Sequence, residues 1–118
     1  MTTRIVDNRE AALPVGYAAT DFNYSLTYED YLEIAASWDV QAIMRGDEII
    51  GAIFTKDGEV HVSILPKWRR KWLTKSLLRE IVDRPDFFTR VDDGHDYMYD
   101  ILARLGMKSR SDGTIGRI

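Results

Sequence analysis

Glu59, His61 and Ser63 stand on alternate positions of one short stretch, interleaved with Val60, Val62 and Ile64. That period of two belongs to a β-strand, so the three polar side chains share one face. An imidazole titrates near neutrality, the range a general base needs, and a carboxylate two residues away lies within its reach. The same alternation also fits a polar sheet face that only meets solvent. A second group follows at once. Between Lys67 and Arg79 there are six basic residues, Lys67, Arg69, Arg70, Lys71, Lys75 and Arg79, and no acid. The net charge of −3 is therefore +6 in this segment and −9 in the rest of the 118 residues. Such asymmetry points to a local anion site on an acidic chain. Trp68 and Trp72 within the run could serve as stacking platforms for bases, but a pI near 5.3 argues against broad nucleic-acid binding.

Other chemistries are excluded by composition. The chain has no cysteine, which removes disulfides, thiolate zinc sites and a cysteine nucleophile. His61 and His95 are its two histidines, too few for a histidine-rich metal centre. Asp92, Asp93, Asp96 and Asp100 cluster in sequence, but capping and dipole compensation at a helix start account for them better than a metal does. No apolar stretch has the length of a signal peptide or of a membrane span. The expectation is a cytoplasmic protein without a membrane partner.

These groups need elements to hold them. Residues 2–7 read as a short strand, and 8–27 as irregular, with Pro14 and Gly16 as breakers. Thr27 reads as the N-cap of a helix with Tyr28, Tyr31, Leu32, Ala35 and Ala36 on one face. Three strands follow, 38–45, 48–55 and 59–65, joined by Gly46-Asp47 and by Lys56-Asp57-Gly58, which is a strong hairpin signal. A helix over 70–83 places Leu73, Leu77, Leu78 and Ile81 inward and Trp72, Lys75, Ser76 and Arg79 outward. An outward Trp72 would mark an interaction surface or would pack on Tyr17, Phe22 and Tyr24. A short strand over 87–91, a helix over 95–105 closed by Gly106, and a hairpin over 107–118 complete one domain. The class is α/β, with a mixed, mostly antiparallel sheet flanked by helices.

From Ile49 to Ile118 this order resembles the GNAT N-acyltransferase superfamily. Ile49-Ile50-Gly51-Ala52-Ile53 is similar to the family's middle strand. Val62 through Leu78 resembles its acyl-CoA motif of strand, Pro66, basic loop and helix. Ile101 through Met107 resembles the helix end before the last hairpin. The resemblance implies acetyl-CoA as co-substrate and an amine as acceptor. It implies that Val62 and Ile64, with Arg69, Arg70, Lys71, Trp72, Thr74 and Lys75, surround the cofactor, and that His61 or Glu59 deprotonates the amine. The family's loop reads Arg/Gln-x-x-Gly-x-Gly/Ala, whose backbone N–H groups hold the CoA pyrophosphate. Here Arg69 matches the first position, while Trp72 and Thr74 occupy the small-residue positions. Leu102 stands where many members carry a tyrosine that protonates the CoA thiolate.

Two functions follow from the resemblance. One is acetyl transfer from acetyl-CoA to an amine. The other is a GNAT-fold binding or structural protein without catalysis, engaging a protein partner through Trp72 or the C-terminal hairpin. The chain is similar in its replaced glycines to small GNAT-like proteins of tailed phages, for which the virion is a second expected location.

Overall fold

The computed structural model describes residues 3–19, 26–69, 71–83, 86–90, 97–104, 106–111 and 113–116. Strand β1 (Thr3–Val6) is followed by helices α1 (Arg9–Ala19) and α2 (Tyr28–Ala35). Strands β2 (Asp39–Arg45), β3 (Glu48–Lys56) and β4 (Glu59–Ile64) form the meander. A 3₁₀ turn (Pro66–Trp68) leads to α3 (Lys75–Val82), β5 (Phe88–Thr89), α4 (Tyr97–Arg104), β6 (Lys108–Ser109) and β7 (Ile115–Gly116). The seven strands form one sheet in the order β1-β2-β3-β4-β5-β7-β6. Every neighbouring pair is antiparallel except β4 and β5, which run parallel.

The meander follows the sequence closely. Asp57 and Gly58 both have positive φ, the signature of a two-residue I′ turn, and they place Lys56 opposite Glu59. In β3 the register with β2 slips by one between Gly51 and Ile49, so Ile50 is an extra residue. This bulge lets Ile50 join the core on one face while Ile49 packs on the other. It accounts for a strand that reads as apolar on both sides.

The sheet separates two cores. On one face Ile43, Ile50, Ile53, Val60 and Ile64 meet Leu77, Ile81 and Val82 of α3 and Leu102 of α4. On the other, Ala12 of α1 meets Val40, Ala42 and Ala52. The segment expected to be irregular contains α1, a correction with a clear local cause. The Asn8 side chain accepts the Ala11 N–H at 3.2 Å and its carbonyl accepts the Ala12 N–H at 3.0 Å, so it caps the helix. Gly16 does not break α1 but lets it approach: a Cβ there would lie 2.8 Å from Phe54 Cζ and 2.9 Å from the Tyr31 hydroxyl. That hydroxyl donates to the Leu13 carbonyl at 2.8 Å. Burial, then the neighbouring Tyr28, push its pKa up to about 12.

The second correction concerns α3. It starts at Lys75, not near Arg70, because Thr74 is extended and its hydroxyl accepts the Leu77 N–H at 3.1 Å. Trp72 therefore precedes the helix and does not share its outward arc. It is buried, 9% exposed, in the same core as Ile64 and Leu77. Tyr17, expected as a packing partner for Trp72, instead meets Tyr28 and Tyr31 at ring-centroid distances of 5.3 and 5.2 Å. Phe22 and Tyr24 lie outside the described residues, as do Asp92, Asp93, His95 and Asp96. The C-terminus of α4 closes as expected. Gly106 has φ +87°, its N–H reaches the Ala103 carbonyl, and the Met107 N–H reaches that of Leu102. That pair of bonds is a Schellman closure.

Candidate functional site at the parting of β4 and β5

The phase of the β3–β4 ladder is fixed by the Leu65 N–H, which donates to the Ile50 carbonyl at 2.9 Å. With the register of the pair, this directs the backbone groups of Glu59, His61 and Ser63 toward β3. Those of Val60, Val62 and Ile64 point the other way, toward β5. There the parallel pairing consists of one rung, Glu59 opposite Phe88, among the described residues. The Phe88 N–H donates to the Gly58 carbonyl at 2.9 Å, and the Thr89 hydroxyl to the Val60 carbonyl at 2.6 Å. Beyond Val60 the described strands do not pair. Among the described residues the outward N–H and C=O of Val62 thus have no ladder partner on the β5 side, in the middle of the sheet.

The basic turn lies at the far end of β4, and Lys67 and Arg69 in it have partners. Lys67 Nζ is 3.4 Å from Glu48 Oε2, and the Trp68 indole N–H donates to the same carboxylate. Arg45 and Lys67 lie over the Trp68 ring, 5.4 and 5.5 Å from its centroid, and Arg45 also donates to the Lys71 carbonyl at 3.1 Å. The run is acid-free in sequence, but the fold brings it a carboxylate from the start of β3. Trp68 is correspondingly engaged and is no open stacking platform.

Arg69, expected at the cofactor phosphates, turns inward. Its Nε donates to the Ile64 carbonyl at 3.1 Å and one Nη to the Ala19 carbonyl at 3.0 Å. It thereby ties the end of β4 to the C-terminus of α1, where a cation also complements the helix dipole. Replacing Arg69 by methionine should remove two charge-assisted hydrogen bonds and cost about 2 kcal/mol. A thermal melt should show this as a fall of roughly 6–12 °C. A melt unchanged within error would deny the tie. Lysine should restore little, since it lacks the planar fork that reaches both carbonyls.

Thr74 is spent on the Leu77 N–H, but the N–H groups of Lys75 and Ser76 in the same turn have no acceptor within the helix. Lys71 is exposed beside them in sequence. Arg70 lies outside the described residues, and so does the side chain of Lys75. Leu102 is buried, in the core.

Glu59 and His61 do come together. His61 Nε2 is hydrogen-bonded to Glu59 Oε2, with the side chains 38% and 33% exposed. The imidazole also meets the Trp38 ring edge-on, with centroids 5.5 Å apart, and Phe54 stands opposite His61 in the ladder. Lys56 Nζ lies 5.9 Å from the Trp38 centroid and donates to the Ser37 hydroxyl at 3.2 Å. Trp38 and Lys56 were not among the expected site residues. Their signal was available, since residues flanking a two-residue hairpin and its neighbouring strand share a face with Glu59.

No protein-family model and no curated sequence matches the chain. Solved structures do match. The ribosomal-protein-S18-alanine N-acetyltransferase from Escherichia coli superposes with a TM-score of 0.66 at 12% identity, covering 97% of this chain and 90% of that one. The apo form of YjaB from Escherichia coli superposes with a TM-score of 0.54 at 15% identity, covering 92% of this chain and 84% of that one. At identities this low the likeness is one of fold. With its seven-stranded, mostly antiparallel sheet, in which β4 and β5 are the parallel pair, the chain has a GNAT-like fold.

Proposed function

We propose that the protein is an N-acyltransferase that moves an acetyl group from acetyl-CoA to an amine. The observation that carries this reading is that, among the described residues, β4 pairs with β5 at its start and has no ladder partner beyond Val60. A sheet interior seldom leaves backbone polar groups facing an unfilled side, because their burial without partners is costly. The Val62 N–H and C=O would pair with the amide-bearing arm of the cofactor, as a strand would. The phosphates would lie toward the start of α3, where the Lys75 and Ser76 N–H groups, the helix dipole and Lys71 favour an anion. Trp72 does not oppose this, because its side chain goes into the core.

A thermal shift and a calorimetric titration with acetyl-CoA test the reading. Ligand at about 100 times Kd should stabilise the fold by about 2.7 kcal/mol. No shift at millimolar acetyl-CoA would end it. In that event the second reading takes over, a binding protein of the same fold without catalysis, and two observations favour it. Arg69 is committed to backbone carbonyls, and the family's tyrosine position is a buried leucine. In that reading a protein partner would meet the outer strand β6, where Lys108 and Ser109 are exposed, since Trp72 presents little surface.

A further inference from the structure

Acyl transfer from a thioester needs two proton movements. The attacking amine must lose a proton, and the departing sulfur gains one, since a thiol of pKa near 8.5 is mostly protonated at neutral pH. The residue at the position where the fold's relatives are expected to carry a proton donor is Leu102, which is 2% exposed and has no proton to give. The held imidazole of His61 is the candidate for both movements. It stands one residue past Val60, whose carbonyl closes the β4–β5 contact, and one residue before Val62, where pairing lapses. A chain entering from the α3 end would bring its acyl group to this closed end.

Resting on the acyl-transfer reading, we propose that Glu59 is a positioning residue that holds His61 as its Nε2–H tautomer. His61 Nδ1 then takes a proton from the acceptor nitrogen and delivers it to the leaving sulfur. The contact of Nε2 with Glu59 Oε2 assigns the tautomer, because an ionised carboxylate only accepts. Trp38 fixes the ring plane from the side. In the reaction the neutral amine attacks the thioester carbon and a C–N bond forms. Its N–H proton passes to Nδ1, and the C–S bond breaks. The proton then leaves Nδ1 for sulfur. The products are an amide and the CoA thiol, and His61 returns to its starting state with no other reactant consumed.

The absence of cysteine makes the assay clean, since a thiol reagent added to acetyl-CoA and the full chain reads released CoA alone. A panel of amines serves as acceptor, with water as the acceptor of last resort. His61→Gln should lower kcat by about 100-fold or more, with acetyl-CoA affinity within about twofold of the unsubstituted chain. Glu59→Ala should lower kcat by roughly tenfold at unchanged KM for acetyl-CoA, and Glu59→Gln, which can accept the same bond, should recover part of the loss. Nitrogen-15 spectra of the free chain at pH 8 should show His61 protonated on Nε2, and Glu59→Ala should mix the two tautomers. A His61 protonated on Nδ1, or a His61→Gln within about threefold of the unsubstituted rate, overturns the proposal. Acetyl-CoA binding with no thiol release from any acceptor overturns it as well. Failure to bind acetyl-CoA at all refutes the acyl-transfer reading itself, and is told apart by the titration.

Discussion

Replacing Trp72 by alanine is expected to cost about 3–5 kcal/mol, the range for emptying a buried aromatic site. That is a large part of the 5–15 kcal/mol that typically holds a domain of this size together. Denaturant titration should show the midpoint falling sharply at unchanged slope. Trp72→Phe should cost less, because it keeps most of the apolar volume. The prediction reverses what the sequence register implies. With Trp72 on a helix surface, at a position where the resembled loop has a small residue, its removal would clear space for phosphates and tighten acetyl-CoA binding. The structure places the indole in the core that contains Ile64 of β4 and Leu77 of α3. Removing it should loosen the two elements that would frame the cofactor. Acetyl-CoA affinity should therefore stay level or fall in any variant that still folds. A Trp72→Ala protein that melts within about 2 °C of the original would place the side chain outside the core. One that binds acetyl-CoA more tightly than the original would restore the crowding account.

That reversal shows where sequence reading stops. The meander is legible because its signals are local, alternation in Glu59–Ile64 and an Asp-Gly pair with both φ values positive, and α2 is legible from the threonine cap at Thr27, whose hydroxyl takes the Asp30 N–H. The dyad was legible because strand period alone puts Glu59 and His61 on one face. The start of α3 was ambiguous, since Arg70 to Leu73 fit a helical period as well as Lys75 to Val82 do, and the extended residue at Thr74 decides the matter. Five residues of difference in the helix start carry Trp72 from surface to core. Helix α1 is hidden from the sequence because Pro14 and Gly16 are breakers by propensity, and tertiary packing overrides propensity where close approach requires a glycine. The partners of the basic run could not be read at all. Glu48 reaches Lys67 and Trp68 across 19 and 20 residues, and Arg69 reaches Ala19 across 50. Contacts at that separation depend on the register of the whole sheet.

Gly51 offers the sharpest test of that register. It lies opposite Ile64 in the β3–β4 ladder, one residue past the bulge at Ile50. A Cβ on Gly51 would stand 2.3 Å from the Ser63 carbonyl oxygen and 2.7 Å from Ile64 Cδ1. The isoleucine tip can rotate away, but the carbonyl belongs to the ladder itself, so only separation of the strands relieves the clash. Gly51→Ala is therefore expected to cost at least as much as severe overpacking, about 3 kcal/mol, and Gly51→Val more. For a chain of this length a 3 kcal/mol loss lowers the melting midpoint by roughly 10–18 °C. Gly106→Ala is the matched control. Its φ of +87° strains any side chain, yet nothing lies within 4 Å of its Cβ. Its cost should stay near 1–2 kcal/mol, the ordinary penalty of a left-handed residue. A Gly51→Ala as mild as the control would place β3 and β4 further apart than the structure has them. The proposed site is affected through the same contact, because Ser63 and Ile64 are the last residues of β4, just past the Val62 groups that have no ladder partner among the described residues of β5. A strand pushed off β3 there is pushed into the space a cofactor would occupy. Any folded Gly51→Ala protein should thus lose acetyl-CoA affinity, whereas Gly106→Ala should keep it.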